Sequence, residues 1–561
     1  MLKNVADRCE TDNLAKADII PKRIVWRTES NTSKVENEEI LLEKRKGQIS
    51  LNIDRPCILR NDGGSAGILL DFGMELQGGI QIFAWSCGGD TKNARLRIRF
   101  GESAMEAMSD IGGKKNATNN HAVRDVIAEI SYLGMTEIGN TGFRFVRLDL
   151  LDDDGYIEIM SVRAAFSYRD IEYKGSFRCN DALLNKIWDT GAYTVHLNMQ
   201  NYLWDGIKRD RLVWIGDMHP EISTIQAVFG YNDVVPKSLD FVRDETHLPG
   251  WMNSIPTYSM WWILIHHSWF MQNGDIEYLK AQRNFLLALS DQLSIFIDRD
   301  GKDITPDFRF VDWPSFENKK AVDAGIQALH ILAAEAAAGL FDILGEKKAG
   351  EKCLKDIARL RRFTVDHNGC KQAAALMALA GLADKDAINR EVLAVDGARR
   401  ISAFTGYYIL KARSMAGDIE GSLDCIREYW GGMIKMGATT FWEEFNLDWM
   451  ENATGIDELV TKDKKDIHGD YGDHCYVGYR RSLCHGWSSG PTAWLSENVL
   501  GIKILEPGCR TVQVKPQLGN LEWVEGDYPT PEGKIHLRHE KQPDGNVKSR
   551  IDAPRSIKII R

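Results

Sequence analysis

The hydrophobic period changes twice along this chain, and that change constrains the fold more than any other feature. Ala94 to Phe100 alternates strictly between apolar and charged residues, and Phe143 to Leu148 follows the same period of two, as half-buried strands do. Turn clusters at Asn61-Asp62-Gly63-Gly64 and Gly88-Gly89-Asp90 punctuate these runs, and short punctuated strands predict an antiparallel sandwich. Residues 103–122 are poor in bulky apolar side chains and read as a loop. Near residue 180 the period becomes helical. Asn180 or Asp181 is placed to cap a helix carrying Leu184, Ile187 and Trp188 on one face. Leu286, Leu289, Leu293 and Phe296 form one apolar stripe. Val322, Ile326, Leu329, Ala333, Ala336 and Leu340 form another. After about residue 503 alternation returns at Thr511–Val514 and Lys534–Arg538, broken by Pro507-Gly508, Pro529, Pro531 and Gly533.

The order is therefore β, a large helical domain, then a small β domain, with boundaries read at 1–172, 173–502 and 503–561. The roughly 320 residues of helical pattern exceed a four-helix bundle. A closed toroid or a solenoid fits them better, and the lack of a fixed-period repeat weighs against the solenoid.

Lys plus Arg number 70 and Asp plus Glu 80, a net charge of −10. A broad electrostatic match to nucleic acid or an anionic membrane is not expected. No uninterrupted apolar run reaches the ~18 residues of a membrane span. The first twenty residues lack the apolar core of a signal peptide. Read as it stands, the sequence predicts a cytoplasmic protein, or a periplasmic or secreted one had a leader been removed. Its ten cysteines are scattered without a C-x-x-C pair, so reduced thiols are expected and zinc-ribbon or thioredoxin-type sites are not.

Two stretches concentrate carboxylates, aromatics and arginine. The first runs from Trp204 through Asp205, Arg209, Asp210, Arg211 and Trp214 to Asp217. A solvated turn would explain the charges, but large aromatics are costly to expose in such a turn. The second is Gly437 to Asn446, with Glu443 and Glu444 beside Trp442. Neighbouring residues point to different sides, so one of the two carboxylates is expected to enter a pocket. The competing reading is a helix N-terminus, capped by Thr with Glu on its dipole. Paired carboxylates from distant segments, with aromatic platforms, are what glycoside cleavage needs: an acid for the leaving oxygen and a base for water. Trp251, Trp261, Trp262, Trp269, Trp313 and Trp487 are further platform candidates, although most Trp residues belong to cores.

Other chemistries have poorer support. Asp71-Phe72-Gly73 matches a kinase tripeptide, but no Gly-rich or H-R-D loop accompanies it, so it reads as structural. There is no Walker A loop, H-E-x-x-H, dinucleotide fingerprint or G-x-S-x-G elbow. The run Asp466 to Cys475 holds metal-ligand residue types at a spacing that matches no known pattern. No metal and no cofactor are expected.

Both carboxylate stretches resemble glycoside hydrolase family 78, the α-L-rhamnosidases. Asp205 to Asp217 resembles the family's D-x-x-x-R-E-[RK]-L-G-W-x-G-D segment, and Gly437 to Glu443 its G-A-T-T-x-W-E segment. Ser482-Leu483-Cys484-His485 resembles its S-L-N-H segment, and Phe310-Val311-Asp312-Trp313 its G-D-W segment. Ser176–Asp181, Leu70–Gly73 and Thr530–Ile535 resemble its barrel start and its two sandwiches, so the resemblance runs from about residue 65 to 540 in the family's order. It implies an (α/α)6 barrel, or toroid, flanked by antiparallel β-sandwich domains. It also implies hydrolysis of terminal α-L-rhamnosyl or related deoxy-sugar linkages with inversion.

On that template Glu443 is the general base and Asp210 the general acid. Asp205, Arg209, Trp214, Asp217, Trp262, Asp312, Trp313, Trp442 and His485 are substrate-binding candidates. The partner expected is a rhamnose-containing glycan or glycoside; the oligomeric state stays open. Asp210 stands where the family has Glu, shortening the reach by roughly 1.5 Å, about one C–C bond. Gly206-Ile207 replaces Cys-Pro, Val213 replaces Gly and Glu444 stands where Arg is common. Glu221 is a reserve acid. Two other readings stay open: a polysaccharide lyase or other toroid carbohydrate enzyme, using His485 or Tyr471, and a non-catalytic glycan-binding relative.

Overall fold

The computed structural model describes residues 14–52, 54–88 and 92–561; Cys9 and the turn positions Gly89 and Asp90 lie outside them. The chain divides into two compact units. The first comprises residues 1–171 with 196–211 and 453–484; the second comprises 172–195, 212–452 and 485–561.

The first unit is built on antiparallel strands β1 (Leu14–Ile19), β2 (Arg23–Arg27), β3 (Ser33–Glu36), β4 (Cys57–Asn61), β5 (Gly67–Gly88), β6 (Asn93–Gly101), β7 (Asp125–Ser131), β8 (Gly134–Leu150) and β9 (Tyr156–Arg169). Their order is β3-β4-β9-β5-β8-β6-β7, with β1 on β9 and β2 on β5. Hydrogen bonding is continuous. The first part of β5 lies between β2 and β8, and its second part between β9 and β8, with register shifts after Asp71 and Gly78.

The alternation read in β6 has a direct cause. Ala94, Leu96, Ile98 and Phe100 enter the core with Ile80, Ile82, Phe143 and Leu148, each large side chain contributing about 1.5–3 kcal/mol. On the other face Arg97 pairs with Asp125 at 2.6 Å and Arg99 with Asp149 at 2.8 Å. Residues 103–122 are not wholly loop: Ala104–Met108 is a helix, capped where Ser103 Oγ accepts from Glu106 N. Its Ala104 and Ala107 pack on Leu69 and Phe145, on the far side of the sheet.

Asp71-Phe72-Gly73 is structural. Phe72 meets Phe143 edge-on at 5.7 Å. The Asp71 carboxylate takes Arg144 at 2.8 Å and Arg23 at 2.8 Å; burial opposes its ionisation, yet the two guanidinium groups hold it below the usual carboxylate range. Gly73, within β5 at its register shift after Asp71, has φ +83°, left-handed backbone that favours glycine.

The second unit holds α1 (Ala182–Asn198) as far as Val195, and helices α2 (Met218–Val228), α3 (Val234–Glu245), α4 (Pro256–Asn273), α5 (Ile276–Ile295), α6 (Lys319–Leu344), α7 (Lys347–Leu360), α8 (Lys371–Leu379), α9 (Lys385–Ile388), α10 (Gly406–Met415), α11 (Ile419–Lys435) and α12 (Gly490–Trp494). Asp181 caps α1 by accepting from the Leu183 and Leu184 amides. Leu286, Leu289 and Leu293 of the first apolar stripe are buried on α5, with Phe296 at its C-cap, and the second stripe falls on α6.

Helices α2 and α8 are buried along nearly their whole length. Met218 and Pro220 to Val228 of α2 are covered, as is Lys371 to Ala378 of α8, whereas α7 buries only Cys353, Asp356, Ile357 and Leu360. Each even helix packs on the next, α2 on α4, α4 on α6, α6 on α8, α8 on α10 and α10 on α12, and α12 packs back on α2. Helix α6 is apolar and long enough to cross a membrane, but 72% of its apolar window is buried, as for a core helix. The chain ends in two small sheets. Strand Ser176–Cys179 joins Trp523–Thr530, Gly533–Lys541 and Val547–Asp552; Ile502–Ile504, Thr511–Val514 and Lys558–Ile560 form the other.

Candidate active site

In the second unit Glu443 lies against His485 and Trp487, the residues that lead into α12. The segment that carries Glu443, Gly437 to Asn446, is irregular rather than the start of a helix. Gly437, at φ +94°, turns the chain out of α11. The Phe441 amide donates to Thr194 Oγ1 and the His485 amide to the Phe441 carbonyl, which fixes the segment on two sides. Glu443 is buried, and His485 Nε2 lies 3.4 Å from its Oε1 and 3.8 Å from Asp217 Oδ2. Tyr258 OH donates to Asp217 Oδ1 at 3.0 Å, and Trp487 Nε1 to the Glu443 carbonyl at 2.9 Å. One imidazole therefore bridges two carboxylates that come from segments more than two hundred residues apart.

Aromatic rings surround this array. Trp487 stacks on Phe404 at 5.2 Å, Phe404 meets Trp261 at 6.1 Å, and Trp261 stacks on Tyr408 at 4.8 Å. Trp214, half-buried, meets Tyr258 edge-on at 6.1 Å. Tyr258 meets Phe310, which packs against the half-buried Trp313. Asp312 is buried and accepts the hydroxyls of Ser402 and Thr405. His219 shares a 2.8 Å hydrogen bond with Tyr408 OH, and burial, aided by the Lys411 charge, pushes its pKa down to about 3. It is a neutral ring near neutral pH.

Trp214, Asp217, Glu443, His485, Asp312 and Trp313 are thus linked by direct contacts or shared neighbours. Trp262 does not join them. It is fully buried with its ring on His266 and Phe285 and its indole N–H on the Leu239 carbonyl; its neighbour Trp261 faces the array instead. Trp442 is also fully buried, edge-on to Phe445. Glu221 is fully covered beneath Gly486, where a Cβ would lie 1.2 Å from its Oε1. Tyr258, His219, Phe404 and Tyr408 were missed because aromatics at helical spacing read as core. A cavity of about 490 Å³ is lined by Gln226 of α2, His267 and Met271 of α4, Lys411 and Met415 of α10, and Glu497 beyond α12.

In the first unit Asp205, Arg209 and Asp210 lie on one loop. Asp205 and Arg209 are buried, and Arg209 sits over the Tyr476 ring at 5.4 Å. Asp210 and Arg211 both have left-handed backbones, φ 58° and 54°, and the Arg211 amide closes on the Arg209 carbonyl at 2.8 Å. Such residues cost about 1–3 kcal/mol each and concentrate at functional sites. His121 Nε2 is 3.5 Å from Asp210 Oδ1, and Arg211 donates to the His121 and Asn140 carbonyls.

Among the described residues, Glu102, Glu106 and His468 have ligand atoms close enough to hold an ion. The Lys208 ammonium already stands among them, 2.8 Å from Glu102 and 3.3 Å from Glu106. Asp466 accepts from Tyr479 OH and pairs with Lys115, so it is engaged in local bonds.

Comparison with known proteins fits this arrangement. Residues 172–362 match the bacterial alpha-L-rhamnosidase 6 hairpin glycosidase domain, a span that includes Asp205–Asp217 and ends before Glu443. Residues 501–559 match the bacterial alpha-L-rhamnosidase C-terminal domain. An alpha-L-rhamnosidase of Alteromonas sp. (strain LOR) is 23% identical over 460 residues, 72% of this chain and 46% of that protein. The GH78 family rhamnosidase of Bacillus sp. GL1 superposes with TM-score 0.69 at 21% identity, covering 91% of this chain and 54% of its own. A rhamnosidase from Klebsiella oxytoca with rhamnose bound gives TM-score 0.65 at 17% identity, covering 86% and 95%. The chain spans about half the length of the Alteromonas and Bacillus proteins. The chain is thus similar, over residues 172–362 and 501–559, to two domains described from bacterial α-L-rhamnosidases.

Proposed function

We propose that this chain is an inverting glycoside hydrolase that removes terminal α-L-rhamnosyl or closely related deoxy-sugar residues. Its scaffold is an (α/α)6 toroid over 173–502 between β-sandwich domains at 1–172 and 503–561. The cyclic packing order of α2, α4, α6, α8, α10 and α12 supports the toroid. The observation that carries the function is the buried Glu443 carboxylate, 3.4 Å from His485, with the Asp217–Tyr258 pair and the faces of Trp487 and Trp261 around it. The relatives described as rhamnosidases, one with rhamnose bound, supply the sugar class.

Glu443 takes the role of general base. Its carboxylate draws a proton from water as the oxygen attacks the anomeric carbon, on the face opposite the leaving group. His485 orients that carboxylate and is positioned to donate to it. Asp217 accepts sugar hydroxyls, with Tyr258 fixing its second oxygen, and charge-assisted bonds of this kind are the stronger ones. Trp487 and Trp261 cover the apolar C–H face of the sugar. Asp210 takes the role of general acid and protonates the glycosidic oxygen. A panel of aryl and unactivated α-L-rhamnosides, followed by NMR, tests this reading. Release of rhamnose with inverted configuration supports it; an unsaturated product would point to a lyase, and binding without turnover to a glycan-binding protein.

A further inference from the structure

We infer that Lys208 is the positioning residue of the acid, fastening the 205–211 loop to the N-terminal sheet so that Asp210 is presented on its left-handed turn. The inference rests on the proposed role of Asp210. Lys208 is buried, and its ammonium meets four acceptors: Glu102 Oε2 at 2.8 Å, Glu106 Oε1 at 3.3 Å, and the carbonyls of Tyr479 and Arg481 at 2.8 and 2.7 Å. An ammonium has three protons, so its donor capacity is used within the protein. The acceptors come from the end of β6, the Ala104–Met108 helix and the 479–481 segment, which meet at this one charge.

The partners are themselves tied. Glu102 Oε2 accepts from the Leu483 amide at 2.7 Å, and Glu106 Oε2 from the Glu102 amide at 2.9 Å. Arg124, also buried, donates to the carbonyls of Phe100 and Glu106. Burial pushes the Glu102 carboxyl up to about 7, against the opposing Lys208 charge. Without Lys208 two buried carboxylates would lose their nearest cation, an arrangement proteins avoid.

The loop is fastened on both sides of Asp210. Before it, the Gly142 amide of β8 donates to the Ile207 carbonyl at 3.0 Å, and a Cβ on Gly142 would lie 2.6 Å from Ile207 Cγ1. After it, Arg211 is held by the Asn140 and His121 carbonyls. Lys208 is a buried, charged anchor and lies two residues from the acid. Catalytic placement is sensitive to shifts of ~1 Å, and an Asp in place of Glu leaves less side-chain reach to absorb one.

The test is the dependence of rate on leaving group in Lys208→Met and Lys208→Arg, with Asp210→Asn in parallel. Lys208→Met is expected to lower kcat on unactivated rhamnosides by about 10- to 100-fold. It should leave KM unchanged and stay within about threefold on activated aryl rhamnosides, which need little protonation. Lys208→Arg is expected to restore part of the loss. Glu106→Gln, nearly isosteric, serves as the second variant should Lys208→Met not fold, and is expected to show a smaller loss with the same leaving-group pattern. Equal losses on both substrate classes, or none, would overturn the inference. If Asp210→Asn shows the leaving-group pattern and the Lys208 and Glu106 variants do not, the inference alone fails. If Asp210→Asn shows no such pattern, the assignment of the acid fails first.

Discussion

His485 Nε2 lies 3.4 Å from Glu443 Oε1, and the two side chains come from segments that the Phe441 carbonyl and His485 amide join by a backbone hydrogen bond. The imidazole cannot move without moving the carboxylate's surroundings. His485→Ala should therefore lower kcat by about 10- to 100-fold with a smaller change in KM, as loss of an orienting partner does. Steady-state kinetics on one aryl rhamnoside would show this, and an unchanged kcat would remove His485 from the mechanism.

Trp487 and Trp262 have separable roles. Trp487→Ala should raise KM, because that ring is stacked on Phe404 beside Glu443. Trp262→Ala should cost about 3–5 kcal/mol of stability, the usual range for a buried Trp, and leave KM unchanged, because Trp262 is fully buried between helices. Thermal unfolding and KM measured on both variants decide between the roles.

Gly486→Ala should destabilise strongly. The added methyl would stand 1.2 Å from Glu221 Oε1 and 2.1 Å from its Cδ. Relief requires moving a fully buried side chain, and overpacking of this kind costs about 1–3 kcal/mol or more. A melting temperature equal to wild type would show that the Glu221 side chain is not confined beneath Gly486.

Buried histidines predict acid sensitivity. Burial pushes His219 and His266 from 6.5 down to about 3. Their folded pKa values lie below the unfolded ones, so the stability they contribute is present above about pH 6.5 and is lost as pH falls toward 3. The urea midpoint should fall from pH 7 to pH 4.5, and His266→Gln should fall less steeply. A parallel fall in the variant would contradict the assignment.

Glu102 titrates with the opposite sign. Burial raises its carboxyl from 4.5 to about 7. The stability linked to it is present below about pH 4.5 and is lost as pH rises through 7. Glu102→Gln should flatten the urea-midpoint profile between pH 5 and 8; an unaltered slope there would show that Glu102 titrates normally.

Much of this arrangement was legible in periodicity. The alternation of β6 and the stripes on α5 and α6 follow from burying one face, and they fall where the sequence placed them except for Phe296, which lies past the end of α5. The Ala104–Met108 helix was not seen, since its face is alanine and methionine; the signal available was Ser103 three residues before Glu106, the spacing of an N-terminal cap. Glu443 and His485 were visible through their motifs. Tyr258 and Tyr408 were not, because an aromatic on a helix gives no hint of whether its ring meets core or cavity. Trp262 and Trp261 are adjacent in sequence, and only the rotation of α4 separates the structural one from the one beside Glu443. Lys208 carried no chemical signal alone, since its partners lie about a hundred and about two hundred and seventy residues away.

The central claim is that Glu443 activates water for direct displacement at the anomeric carbon. The most direct measurement is the configuration of the first-formed sugar, followed by proton NMR during hydrolysis of an aryl α-L-rhamnoside by the wild-type chain and by Glu443→Gln. The account predicts β-L-rhamnose appearing first with the wild-type protein, mutarotating afterwards, and no turnover of any glycoside by the variant. First-formed α-L-rhamnose, or substantial turnover by Glu443→Gln, would contradict it.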